Sequence, residues 1–324
     1  MNRRDAALGL IALGAAPLVS MAQPKEKVWR IGFLGVGSAS FMASRVAKLR
    51  AGLRELGHVE GRNIVLELRY ADGSTERLAE LSAELVRLQM DVLVSHTTQG
   101  IQAAKQATSN IPIVMAASAD PVTTGLVASL ARPGGNVTGS AILTPEIMAK
   151  RIELLRDVAP RMKRVAAFLR SSSSSIAILQ AMQTAAKSLG VEVLRVEAPG
   201  VNELNGSFAA MIKNGVEGLV AQDEPAIIAN AKAIAGYAEK YRIPSAGNSE
   251  FAEAGNLLGY GVDIPEMFHR AAYFVDRIVK GAKPADLPVE QPKKFEFVIN
   301  LKTAKALGLK VPQSLLLRAD RVIE

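Results

Sequence analysis

The sequence predicts an α/β protein of two similar lobes, each a parallel, doubly wound sheet flanked by helices. Three observations carry that reading. The chain has 324 residues, beyond the usual single-domain range, and 49% of them are apolar, ample for two buried cores. Aromatic residues supply only 5% while glycine and the aliphatic residues dominate, which suits tightly packed α/β layers rather than an aromatic-rich β-sandwich. The third observation is an internal echo. Leu56-Gly57 before Val59 recurs as Leu189-Gly190-Val191, and Ile111-Pro112 before a strand recurs as Ile243-Pro244, at separations of 133 and 132 residues. Near-equal offsets between helix-closing and strand-opening signals point to one fold used twice in tandem.

In the first half, Val28 to Gly35 is an almost continuous apolar run ending in glycines, as expected of a strand buried on both faces. Ser40 to Leu56 reads as a helix, closed by Gly57 where a left-handed cap is favoured. Asn63 to Ala71 is a second strand, and Leu78, Leu81, Leu85 and Leu88 give one apolar face to the helix that follows. Asp91 to Ser95, Pro112 to Ala116 and Asn136 to Ala141 add further strands, which helical crossovers join into a parallel sheet. The second half supplies strands at Arg164 to Leu169, Val191 to Glu197, Glu217 to Ala221 and Pro244 to Gly247. Leu257 to Val262 reads as another strand, and Glu266 to Lys280 as a helix with Phe268, Ala272, Val275 and Val279 on one face. Neither builds a core alone, so both are expected to return to the first lobe before the chain crosses back at Lys283-Pro284. Phe295 to Ile299 and the closing segment then pack on the second. The expected lobes are residues 28–142 with 256–283 and residues 143–255 with 284–324. Several crossings between them form a hinge that permits closure around a ligand.

The leader indicates export. Asn2-Arg3-Arg4 is basic, Ala6 to Val19 is apolar, and Ser20-Met21-Ala22 offers small residues at the minus-three and minus-one positions of a cleavage site. Residues 1–22 therefore read as a signal peptide cut after Ala22. The apolar run, about fourteen residues interrupted by Gly9, Gly14 and Pro17, falls short of the roughly twenty needed to span a bilayer. Arg3-Arg4 leaves a twin-arginine route open beside general secretion. Cysteine is absent, which excludes disulfides and a lipid-bearing thiol. A freely diffusing periplasmic protein without stable membrane insertion is expected. The net charge of +8 is spread along the chain, without basic clusters interleaved with aromatics, so nucleic acid is not an expected partner.

The segment Ile111 to Gly139, IPIVMAASADPVTTGLVASLARPGGNVTG, resembles the signature of ABC transporter substrate-binding proteins of the tryptophan/tyrosine-binding type. LRELGHVEGRNIVLELRYADG (Leu53 to Gly73) and INLKTAKALGLKVPQSLLLRADRVIE (Ile299 to Glu324) resemble the same family. The resemblance implies the type 1 periplasmic binding protein fold: two Rossmann-like lobes, a three-stranded hinge and a small-molecule ligand in the cleft. It also implies a membrane permease of an ABC importer as partner, with no cofactor.

In open parallel sheets, ligands sit beyond the carboxyl ends of the strands. The loops to inspect are Val36 to Phe41, His96 to Gln99 and Ala117 to Pro121 in the first lobe. Arg170 to Ser175, Gln222 to Pro225 and Asn248 to Glu250 are their counterparts in the second. They hold the hydroxyls of Ser38, Ser40, Thr97, Thr98, Ser118 and Ser171 and the amide of Asn248, good partners for a carboxylate beside helix N-termini. The same residues serve equally as helix and turn caps. Asp120 and Asp223 are the acids best placed to meet an ammonium group, though each precedes a proline in a manner that also suits an N-cap. The resemblance implies a ligand-facing acid at Asp223. Arg170, where the family carries a small polar residue, could clamp an anionic group. The ligand expected is a small polar solute, an amino acid or an amino-acid-like compound.

Enzyme patterns are weak. His58, His96 and His269 lack metal-ligand spacing, and no HExxH, GxSxG or P-loop motif occurs, so neither catalytic residues nor a metal is expected. Gly35-Val36-Gly37 imitates a dinucleotide-binding turn, but Ser40 stands where its third glycine belongs. A sensor that presents its liganded form to a membrane receptor remains an alternative to uptake.

Overall fold

The structure is a computed structural model describing residues 27–170, 175–198 and 200–324. The expected signal peptide and Ser171 lie outside the described residues. Strand and helix alternate from the start: β1 (Trp29–Gly35), α1 (Ala39–Glu55), β2 (Ile64–Tyr70), α2 (Thr75–Arg87), β3 (Val92–His96), α3 (Thr97–Ala107), β4 (Ile113–Ser118) and β5 (Val137–Ala141). These strands form one parallel sheet in the order β2-β1-β3-β4-β5. Because side chains alternate across a strand, β1, β3 and β4 each feed two cores. Ile31, Phe33, Val92, Val94 and Val114 face α1, while Leu34, Leu93, Ile113 and Met115 face α2 and α3.

The chain then enters a second lobe through α4 (Thr144–Val158), β6 (Arg164–Leu169), α5 (Ser175–Ser188), β7 (Glu192–Glu197), α6 (Leu204–Lys213), β8 (Gly218–Ala221), α7 (Pro225–Ala229), α8 (Ala231–Lys240), β9 (Ser245–Gly247), α9 (Ser249–Glu253) and β10 (Leu258–Gly261). Helix α10 (Ile264–Val279) follows, then β11 (Glu296–Asn300), α11 (Leu301–Ala306), α12 (Gln313–Leu316) and β12 (Arg321–Ile323). The second sheet runs β12-β11-β10-β9-β8-β6-β7 and is parallel except where β11 meets β10. It too separates two cores, with Val165, Ala167 and Leu169 on one face and Ala166 and Phe168 on the other.

Two expectations about the crossings are corrected. The strand at 257–262 does not complete the first lobe: β10 pairs with β9 and β11 in the second sheet, and only α10 returns. Phe268, Ala271, Ala272 and Val275 of that helix join the α1 core. The crossing back also comes later than Lys283-Pro284, because residues 287–290 run beside the open edge of β5. Ala141 N–H donates to the Glu290 carbonyl at 2.8 Å, Glu290 N–H to Gly139 at 2.9 Å, and Thr138 Oγ1 to Leu287 at 2.7 Å. Edge groups of β5 that would stay unpaired gain partners this way. The chain thus passes between lobes near residues 142–143, 262–263 and 291–295. No helix of the described residues is long and apolar enough to cross a membrane.

Candidate functional site

The loops at the carboxyl ends of both sheets meet across a cleft. One compartment, with an empty volume of about 540 Å³ including its mouth, is lined from the first lobe by Phe41, Arg45, His96, Thr97 and Thr98. Gln222, Asp223, Glu224 and Pro225 line it from the second. A neighbouring compartment of about 760 Å³ adds Ser38, Gln99 and Arg170, and shares Phe41, Glu224 and Pro225 with the first.

On the first-lobe side, β3 passes into α3 with no intervening residue. Thr97 takes the left-handed region at φ 57°, uncommon for any residue but glycine and costly for a β-branched one, of order 1–3 kcal/mol. This abrupt turn leaves the amino end of α3 facing the cleft: the His96 side chain does not cap it, and Thr97 Oγ1 accepts only a long bond from the Gly100 N–H at 3.4 Å. Such an end offers unpaired N–H groups and a positive dipole to an anion. Thr98, 3% exposed, lines the same compartment, and its Oγ1 has no hydrogen-bond partner among the described residues. Burying an unpaired hydroxyl costs about 1–3 kcal/mol, so a ligand acceptor here would recover a real deficit. Gly100 permits the tight turn, since a Cβ there would lie 2.7 Å from Ser95 Oγ and 2.8 Å from Val36.

His96 Nε2 accepts from the Val36 N–H at 3.0 Å, which assigns the ring proton to Nδ1. Burial, helped by the nearby Arg45 charge, pushes its pKa down to about 3, so it is a neutral wall of the cleft. Its ring meets Phe268 edge-on at 5.4 Å.

On the second-lobe side, Asp223 is already taken. Arg151 of α4, wholly buried, donates to both Asp223 oxygens at 2.8 Å, to the Ala221 carbonyl at 2.7 Å and to the Tyr260 carbonyl at 2.8 Å. One arginine therefore ties the ends of β8 and β10 to the cleft loop. Gly261 leaves it room, as a Cβ there would sit 3.0 Å from the guanidinium. The next residue, Glu224, is half-buried, lines both compartments and has no hydrogen-bonding partner for its carboxylate among the described residues. Burial raises its pKa to about 7; the Arg170 charge pulls the other way and Asp223 adds to the rise. An incoming cation would find its acceptor here.

Of the expected site residues, Ser38, Thr97, Thr98, Arg170 and Asp223 line the cleft. Ser40 is exposed on the first turn of α1 and contacts Ser38 Oγ at 3.1 Å. Asp120 caps a turn through the Thr123 N–H at 3.1 Å, and Asn248 caps α9 through the Phe251 N–H at 3.0 Å. Neither lines the cleft compartments; the Oδ1 of each accepts from a backbone N–H. Ser118 ends β4, 1% exposed, its hydroxyl without a hydrogen-bond partner among the described residues. Sequence reasoning missed Arg45 and Arg151, and did not single out Phe41 and Glu224 within the loops it chose for inspection. No cluster of potential metal ligands occurs among the described residues.

The chain is 26% identical over 259 residues to a tyrosine-binding protein of Clostridioides difficile, an alignment covering 79% of this chain and 74% of that one. It is similar to the structure of an ABC domain from Streptococcus pneumonia in complex with L-Trp, with a TM-score of 0.85 and 26% identity over 92% of this chain and all of that one. A ligand-free, open substrate-binding protein with adhesive properties from Clostridium difficile matches with a TM-score of 0.67 and 23% identity, covering 91% of this chain and 99% of that one. The family described as ABC transporter substrate binding protein matches over residues 38–323, nearly the whole described chain, and the protein belongs to that family.

Proposed function

We propose that this protein captures an amino acid, or an amino-acid-like zwitterion, between its lobes in the periplasm and delivers it to the membrane permease of an ABC importer. One observation carries the reading: the Glu224 carboxylate and, across one compartment at the amino end of α3, the Thr98 hydroxyl both lack a hydrogen-bond partner among the described residues. A carboxylate and an ammonium on one small molecule satisfy both at once, through charge-assisted hydrogen bonds. Asp223, the acid expected to meet the ammonium, adds field but has its oxygens held by Arg151. The walls supplied by Phe41, Ile142, Ile264 and Phe268 suit an apolar or aromatic side chain. The tryptophan complex and the tyrosine-binding relative support the same choice.

A thermal-shift screen of the L-amino acids, dicarboxylates and sugars tests this, because a ligand at 100 times its Kd stabilises the native state by about 2.7 kcal/mol. The expected response is to amino acids, with aromatic ones foremost. A response to sugars or dicarboxylates alone would refute the reading.

A further inference from the structure

The lobes are joined by more than the hinge. Arg45 of α1 in the first lobe donates through one terminal nitrogen to both oxygens of Glu250, on α9 of the second lobe, at 2.7 and 2.9 Å. The other described ion pairs join groups within one lobe. Arg45 is also aimed from its own side. Its second terminal nitrogen donates to the Phe41 carbonyl at 3.2 Å, and the guanidinium lies over the Phe41 ring at 4.2 Å from the centroid. The side chain is 4% exposed whereas that of Glu250 is 29% exposed, so the arginine is the fixed half and the glutamate the half that comes and goes with the second lobe. A guanidinium already anchored by its own helix loses little conformational freedom when the carboxylate arrives.

We propose that Arg45 and Glu250 form a latch across the cleft that populates the closed arrangement even before ligand binds, making Arg45 a positioning residue for capture and release. The latch accounts for an arginine in a wall that also holds Phe41, His96 and Thr98. Parting the lobes exposes Glu250 to water while Arg45 keeps its Phe41 contacts, so opening is affordable and reversible. Ligand entry then waits on latch opening, and bound ligand is retained by the same contact. A closed state favoured in this way costs on-rate and gains residence time, since only the open form admits ligand. The role in capture and release rests on the reading of the cleft as the ligand site; the closure itself does not.

The absence of cysteine makes the test direct. Spin labels on the full mature chain carrying Glu80→Cys on α2 and Lys213→Cys at the end of α6 report lobe separation by double electron–electron resonance, without any ligand. The background protein is expected to show a short-distance population that falls about tenfold relative to the open one in Glu250→Gln, as expected for losing a well-oriented charged pair. The exchanged pair Arg45→Glu with Glu250→Arg should restore part of it. If Glu250→Gln leaves the ligand-free distance distribution unchanged, the latch is refuted. Because no ligand enters the measurement, a failed amino-acid screen and a failed latch are separate results.

Discussion

Asp223→Ala is expected to destabilise the second lobe severely, in addition to perturbing the cleft. The Arg151 side chain is 0% exposed and that of Asp223 6% exposed, with two contacts of 2.8 Å between them. Truncating the aspartate strands a guanidinium that no solvent reaches, and breaking such a buried pair costs about 3–5 kcal/mol. Arg151 would keep its donations to the Ala221 and Tyr260 carbonyls, but neither carries the compensating charge. The double variant Asp223→Ala with Arg151→Met removes the stranded charge and leaves two carbonyls without donors, about 1 kcal/mol each. It should therefore be less destabilised than the sum of the single variants by about 2 kcal/mol or more. Urea denaturation of the ligand-free protein reads this directly. With a slope near 3 kcal/mol per molar, Asp223→Ala should lower the midpoint by about 1 M. A loss below about 1 kcal/mol, the size of a missing helix cap, would refute the reasoning.

Glu224 has a folded pKa raised from 4.5 to about 7, so the folded chain holds its proton more tightly than the unfolded one. Its contribution to stability is present below pH 4.5 and lost as pH rises through 7, and Glu224→Gln should raise the melting temperature at pH 8. The same variant should weaken an amine-bearing ligand about thirtyfold or more at pH 8, while wild-type affinity, measured by calorimetry, falls as pH drops from 8 to 5.5 and the carboxylate protonates. Thr98→Val should leave the ligand-free protein as stable as wild type or slightly more so, and weaken the ligand about five- to thirtyfold in the same titrations. His96, neutral down to about pH 3, makes the unfolded chain the better proton acceptor between there and 6.5. Stability should fall as pH drops through that window, with a shallower slope in His96→Gln.

The sheets were legible because their strands are apolar runs with helices between them, and β1 to β9 fall within a residue or two of where the runs and glycines put them. The placement of β10 was not legible. Four residues, Leu258–Gly261, carry no signal for which sheet they join, and pairing with β9 and β11 is a long-range outcome. Thr97 and Thr98 could be found because ligand loops follow strands, but the hydroxyl pattern alone could not separate Thr98 from cap residues such as Asn248. The two missed arginines did leave a trace. Arg45 interrupts the apolar stripe of Met42, Val46, Leu49 and Leu53, and Arg151 stands in the stripe of Ile147, Met148, Ile152 and Leu155. A charge on the buried face of a helix requires a partner, and the sequence does not say which carboxylate supplies it. Glu224 lay in the Gln222 to Pro225 loop picked for inspection, but its preference over Asp223 was not legible, since it depends on Arg151 having paired with Asp223.

The central claim is that one zwitterion bridges the lobes, its carboxylate at α3 and its ammonium at Glu224. Calorimetric titration of the amino acid that gives the largest thermal shift, beside its N-acetyl derivative and its carboxamide, tests this most directly. Each derivative removes one charge and keeps the side chain. Both are expected to bind about thirtyfold or more weaker than the parent, the size of stranding one member of a desolvated pair. Binding of either derivative within about threefold of the parent would contradict the bridge.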